Sequence, residues 1–479
     1  MILKEFKILQ FNFQYPEPVR MKKITPIKII KINKNRFDIF MLFTRHPFIN
    51  FLAKELHYYT NDSNTLLGVV ILDYTDQDYN YILMARDENR QFRAFEIKTD
   101  YATEEKCITT LINSMKWHSS QNLTIVEQGG LPKGLKLFEV NQPPEKLHPY
   151  FNNLKNSKGS KASKQAIIEI SNHLDDIDGN FVEQFQSING FDARLWELYL
   201  FASFIELEFE MLREFNRPDF LIKKDDLTIA VEAVILGRKN DPPKLVHIQP
   251  RTITSKDIET KLENETPLRY GSALYSKLKK EYWKLDHVKN KPLVFAIADF
   301  HSDASMIWSF VALTEYLYGH KQIIQKDENG KEIVRSVKAN NYTKPSGEII
   351  PTGFFDQPET KNVSAILFTA TGTLAKFTRM GIQAGFGEDG QIVVRIGDCV
   401  HQDPESLEPM SFKYQVSEDT KETWREGLNL FHNPKAKHPI DMECFPNIGH
   451  HKFIDGELVS YTPDFHPYAS MNYNTITKQ

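Results

Sequence analysis

Cysteine is scarce. Cys107, Cys399 and Cys444 are the only three in 479 residues, they stand far apart, and no CxxC spacing occurs. A disulfide scaffold and a thiolate zinc site are therefore not expected, and a reducing cytoplasm fits this usage best. Long apolar runs are missing too, since none approaches the ~18 residues that span a bilayer. The opening MILKEFKILQFNFQYPEPVR is broken by charges and prolines before the apolar core of a signal peptide could form. A net charge of -4 excludes a globally basic nucleic-acid binder but leaves room for a local basic groove. Neither HExxH nor GxxxxGK[ST] occurs. His432, His438, His450, His451 and His466 thus lack metalloprotease spacing, and TATGTLAKFTRMG (369–381) is no phosphate loop. Asp73, Asp76 and Asp78 read as turn residues, without the Gly and terminal Glu of a calcium loop.

What is present is the composition of a globular protein, 41% hydrophobic and 25% charged, at a length that favours two or three domains. Residues 36–58 read as helix-rich. LLGVVILDY, YNYILMARD and QFRAFEIKT then suggest an antiparallel meander, and EEKCITTLINSMKWH a helix. Residues 1–155 form an expected α+β domain, with NSKGSKASKQ (156–165) as a flexible linker. Residues 166–335 alternate helix and strand as an α/β unit with a mixed sheet. Within it, DFLIKK and LTIAVEAVIL are adjacent strands, a Pro-rich DPPKLVHIQPR leads to a helix over 271–288, and KPLVFAIADF is a buried strand. QKDENGKEIVRS is a hairpin on Asn329-Gly330. The C-terminal region, 336–479, holds short strands and a Pro- and His-rich tail of little periodicity, packed on the core.

The chemistry concentrates in FNRPDFLIKKDDLTIAVEAVILGRK (215–239). Asp219 follows Pro218 at the start of one apolar run, and Glu232 sits inside the next. A carboxylate there is costly unless paired or bound to a metal. Glu197, on the preceding helix, shares a stripe with Phe201, Phe204 and Ile205 and is expected to point inward, with a salt bridge to Arg194 as its alternative role. Hard Mg²⁺ takes oxygen ligands, and a bound cation can activate water and neutralise charge on a phosphodiester. Asp219, Glu232 and the backbone carbonyl of Ala233 are the expected metal ligands.

A helix Glu, then Pro-Asp, then a strand Glu thirteen residues on resembles the PD-(D/E)xK nuclease superfamily over residues 165–320. The resemblance implies a restriction-endonuclease-like α-β-β-β-α-β core and a Mg²⁺ (or Mn²⁺)-dependent nuclease, with DNA rather than RNA as the expected substrate. Glu197, Asp219, Glu232 and a lysine would be its catalytic residues. The superfamily's lysine, two positions after the Glu, is Val234 here. In some branches the next helix supplies it, which points to Lys277 over Lys279 and Lys280. Arg251, Lys256, Lys261, Arg269, Tyr270, Lys277, Lys279, Tyr282 and Trp283 are candidates to line a nucleic-acid path. The wider chain is similar to an uncharacterised bacterial family labelled "glycosaminoglycan attachment", through RLWELYL, PLVFAIADFH, FTATGTLAKFTRMG and WREGLNLFHNPKAKHPI. That label carries no mechanism and implies only that the domains travel together. Bacterial defence is a natural use of such a nuclease, by association. Two rivals stay open: a catalytically inactive nuclease fold that binds nucleic acid or a protein partner, and a hydrolase centred on the C-terminal histidines. The N-terminal domain could dock a protein partner. No membrane association is expected, and the oligomeric state is open.

Overall fold

The computed structural model describes residues 27–42, 48–121, 123, 125–127, 134–238, 254–302, 304–344, 346–403 and 406–477. The N-terminal segment, the Pro-rich stretch 241–251 and Arg251, all read above from sequence, lie outside the described residues. Five strands make the first layer: β1 (Ile29–Ile32), β2 (Ala53–Asn61), β3 (Leu66–Asp73), β4 (Tyr79–Arg86) and β5 (Phe92–Tyr101). They pair antiparallel in chain order, as the alternation predicts. Helix α1 (Lys34–Met41) lies on one face, started by Asn33, whose side chain accepts the Arg36 amide. Helix α2 (Glu104–Ser120) covers the other with Cys107, Leu111 and Met115. The helix-rich reading of 36–58 is corrected in part: helix runs over Lys34–Met41 and again over Ile49–Leu52, and Ala53–Asn61 is strand. Tyr58, Tyr59 and Thr60 favour a pleated, half-buried surface over a helix.

Helix α3 (Lys161–Ser171) joins this layer to the main body. The body follows as α4 (Phe191–Glu206), β6 (Glu210–Leu212), β7 (Phe220–Lys224), β8 (Leu227–Leu236), α5 (Thr266–Leu278), β9 (Leu293–Asp299), α6 (Ser309–Tyr318) and the hairpin β10 (His320–Lys326)–β11 (Glu332–Lys338). Then come β12 (Ala365–Phe368), α7 (Leu374–Gln383), β13 (Gln391–Cys399), β14 (Met410–Val416), β15 (Asn429–His432), β16 (Gly449–Ile454), β17 (Glu457–Tyr461) and β18 (Pro467–Ile476). Eight strands form one mixed sheet in the order β17-β16-β15-β12-β9-β8-β7-β6, flanked by helices, and β14-β13-β18 form a small separate sheet. Strand β7 pairs antiparallel with β8, while β8, β9 and β12 run parallel. Among the described residues no helix is long and apolar enough to cross a membrane.

Three sequence readings change. The 335/336 boundary cuts through the large sheet, because β12, β15, β16 and β17 all come from the supposed C-terminal region. Strands β12 and β15 are four residues each, too short to display a period. The supposed linker 156–165 is a 3-10 turn running into α3, with Ala162 and Ser163 buried. Its small side chains let α3 and α7 touch: a Cβ added at Gly381 would lie 2.2 Å from the Ala162 carbonyl oxygen. A composition that mimics a linker here serves close helix packing. The helix expected over 271–288 ends at Leu278 instead. Glu281 takes a left-handed conformation (φ 50°), and a 3-10 turn (Tyr282–Lys284) carries the Tyr282 ring back into the core.

Candidate active site

Strand β8 has two differently employed faces. Ile229 and Val231 pack with Trp196 and Leu200 of α4, whereas Ala230, Val234 and Leu236 pack with Tyr270 and Leu274 of α5. Alternation puts Glu232 on the α5 side. There Lys277 Nζ donates to Glu232 Oε1 at 2.5 Å. The Glu232 side chain is 6% exposed and that of Lys277 29%, so the pair sits at the inner end of an opening. The Tyr282 hydroxyl also hydrogen-bonds Glu232, and its proton is held more tightly than usual by burial and by that carboxylate.

Asp219 precedes the first residue of β7, at the sheet's rim. Its Oδ2 accepts the Ala233 amide at 2.7 Å, bridging the end of β7 to β8. Glu197 reaches the same rim from α4, on the opposite face. Arg194 binds both its oxygens, at 3.0 and 2.8 Å, and is itself fixed by Gln184 Oε1 and Asn180 Oδ1. The Arg194 salt bridge, the alternative role read for Glu197 from sequence, is present. Nearly all of α4 is buried, not a single stripe of it, as suits a helix that is apolar all round.

The electrostatics tie these groups together. Asp219 faces solvent on one side, yet its carboxyl is raised well above its usual range by loss of water and by repulsion from Glu232 and Glu197. The Ala233 amide and Lys277 oppose that rise. Glu197 is raised by desolvation and by Glu232, against the opposing pull of Arg194. Three carboxylates therefore share a rim with Arg194 and Lys277, and the exposed Arg217 stands beside Tyr282. Carboxylate and carbonyl oxygens are the donors a hard divalent cation takes. Asp219, Glu232 and the Ala233 carbonyl, on the strand edge whose amide meets Asp219, are the groups that would hold one. Among the described residues no three His, Cys, Asp or Glu side chains converge on a single point. Glu197 and Glu232 approach from different faces, so the idea of three inward acids clustered together is corrected to two acids and a rim-bridging third.

Of the lysines, only Lys277 reaches the acids. Lys279 lies over the Tyr275 ring, and Lys280 is exposed. Much of the expected basic path is otherwise engaged: Lys261 and Arg269 both pair with Glu265, and Tyr270 is fully buried with its hydroxyl on the Ser309 carbonyl. Sequence reasoning singled out Tyr282 as an aromatic but not its bond to Glu232. The signal for it was the spacing from Lys277, which the break after Leu278 disguised.

Among the described residues the C-terminal histidines meet no carboxylate. His432 Nε2 donates to His450 Nδ1 (3.0 Å), and His450 Nε2 donates to the Phe445 carbonyl. His451 and His466 both donate through Nε2 to Asn429 Oδ1, at 2.9 and 2.8 Å. All four are buried, and burial lowers their pKa values, to about 3 for His432 and about 4 for His466. They form a neutral structural network, which removes the basis for the histidine-centred hydrolase. His438 stands apart, half-exposed. Lys376, of the TATGTLAKFTRMG stretch, is likewise structural: with Arg379 it binds the fully buried Glu422.

No protein family matches the sequence, and no curated protein or solved structure does so either.

Proposed function

We propose that the protein is a nuclease dependent on Mg²⁺ or Mn²⁺, built on a restriction-endonuclease-like core, with DNA rather than RNA as its substrate. The observation that carries this reading is the Lys277–Glu232 contact beside Asp219, at a sheet rim where Asp219 is repelled by Glu232 and Glu197. The order α4-β6-β7-β8-α5-β9, with β8 and β9 parallel across a helical crossover, supports the fold assignment. Lys277, arriving from α5, supplies the amine that Val234 cannot.

Glu232 is held in place by Lys277 and Tyr282, and Asp219 by the Ala233 amide. Lys277 presents its amine at the site, able to orient an attacking water or a non-bridging phosphate oxygen. Arg194 fixes Glu197 on the far side of the rim, where its carboxylate can accept a proton. A bound cation would supply Lewis-acid polarisation of the phosphodiester and a more acidic water. The second reading, an inactive nuclease fold that binds nucleic acid or protein, is favoured by one observation: Glu232 already has its countercharge in Lys277. Incubation with labelled single- and double-stranded DNA and RNA, with Mg²⁺, Mn²⁺ or EDTA, separates the two. Metal-dependent cleavage abolished by Glu232→Gln is expected; no cleavage of any substrate would leave the binding reading.

A further inference from the structure

The segment Phe215-Asn216-Arg217 leads directly into Asp219, and its side chains are arranged for contact with something outside the chain. The Phe215 ring lies parallel to that of His287, 3.8 Å between centroids and 5° between planes. His287 is fixed in turn by its Nε2, which donates to the Arg217 carbonyl at 2.6 Å. One face of Phe215 is thus backed by a second ring, while the residue keeps 40% of its surface exposed. Phe215 and Asn216 line a cleft of ≈ 90 Å³ together with Asp219 and Glu197. Arg217 is exposed and close enough to act on the Tyr282 hydroxyl, which bonds Glu232.

We infer that Phe215, backed by His287, is a stacking platform for an unpaired base, so that the substrate is a single strand or a strand with an extruded base. This rests on the nuclease reading and narrows its substrate class. Three features point the same way. An aromatic face with a cation two residues on is the combination that grips single strands, the ring taking the base and the cation the phosphate. The cleft is small, and its lining carries Asp175, Asp176 and Asp178 beside Arg194 and Arg213, which are paired with Glu197 and Asp175, so it takes an uncharged base more readily than a phosphodiester. The phosphates therefore stay outside, beside Arg217 and Lys277, and a paired base in a duplex cannot enter. Asn216, with one donor and one acceptor group, is placed at the same cleft to meet a base edge.

The test is fluorescence anisotropy in EDTA, so that cleavage plays no part, with one labelled oligodeoxynucleotide as a single strand and as a blunt duplex. Wild type should prefer the single strand. Phe215→Ala should weaken single-strand binding by about 5- to 100-fold while changing duplex binding less than about twofold, and Phe215→Trp should retain it. His287→Ala, which removes the backing ring, should give a smaller loss of the same kind. Preference for the duplex, or equal loss on both substrates, or no loss at all, would overturn the platform. Cleavage absent with single-strand preference intact would instead defeat the nuclease reading and leave the platform standing, so the two failures are distinguishable.

Discussion

Lys277 and Glu232 stand 45 residues apart in the chain and 2.5 Å apart in the fold. The contact forms because α5 crosses over the sheet between two parallel strands and returns its last turn to the strand it left. A β-strand carboxylate that would be expensive in isolation is thus neutralised by a side chain that is itself partly in water. Lys277→Met should cost about 1–3 kcal/mol at pH 7, by leaving a buried carboxylate without its countercharge. Combined with Glu232→Gln, most of that cost should disappear. Urea denaturation of both single variants and the double variant gives the coupling directly; additive losses would mean the contact is incidental.

Asp219 should behave in the opposite sense. Its pKa is raised in the folded state, so its favourable contribution exists below the ordinary carboxylate pKa and is lost as pH rises through the raised value. At pH 7 the charged group is a net cost, reduced by its exposure to solvent. Asp219→Asn is expected to leave metal-free stability unchanged or improve it by up to about 1 kcal/mol, and to remove any Mg²⁺-dependent rise in melting temperature that wild type shows. Thermal melts with and without Mg²⁺ decide the matter. A large loss without metal would mean that Asp219 chiefly anchors the Ala233 amide.

The histidine network predicts acid sensitivity. His432 and His466 have folded pKa values of about 3 and about 4, below the unfolded value near 6.5. Their contribution is present above ~6.5 and is lost as pH falls toward the folded values, at about 1.4 kcal/mol per pH unit for each histidine. Urea midpoints measured from pH 7.5 down to 4.5 should fall steeply, and less so in a His466→Gln variant. Asn429→Leu strips His451 and His466 of their shared acceptor and should cost about 1–3 kcal/mol per stranded donor.

Gly381→Ala tests the contact between α3 and α7. The added methyl would meet backbone, the Ala162 carbonyl, which cannot rotate away as a side chain can. A loss of about 1–3 kcal/mol is expected, measured by denaturation. A neutral effect would return residues 156–165 to the status of a loose connection.

How much of this was legible follows from what a single residue pattern can encode. The meander over 66–101 announces itself because each strand is long enough to repeat, and β7 and β8 because Asp225-Asp226 separates two apolar runs. Glu232 and Lys277 were readable because each breaks a local rule, an acid among aliphatics and an amine beside a buried stripe. The Tyr282 bond to Glu232 was hidden by a backbone turn at Glu281 that no periodicity marks. Strand β6, three residues long, and β12 and β15 are set by their neighbours in the sheet. The helical character of 161–165 was masked because small residues suit both a loose connection and a close crossing.

The position of β12 has a consequence for how the chain comes to be folded. Strand β9 is complete at Asp299, but the strand that covers its outer edge begins only at Ala365, and β15 beyond it at Asn429. Until those residues exist, Leu293–Ala298 present a row of unpaired amides and carbonyls with apolar side chains on both faces, the kind of surface on which one chain recruits another. A fragment stopping near residue 335 should therefore aggregate, and refolding of the whole chain should lose yield as concentration rises. Closure of the sheet, and the order it brings to the rim, falls late in synthesis.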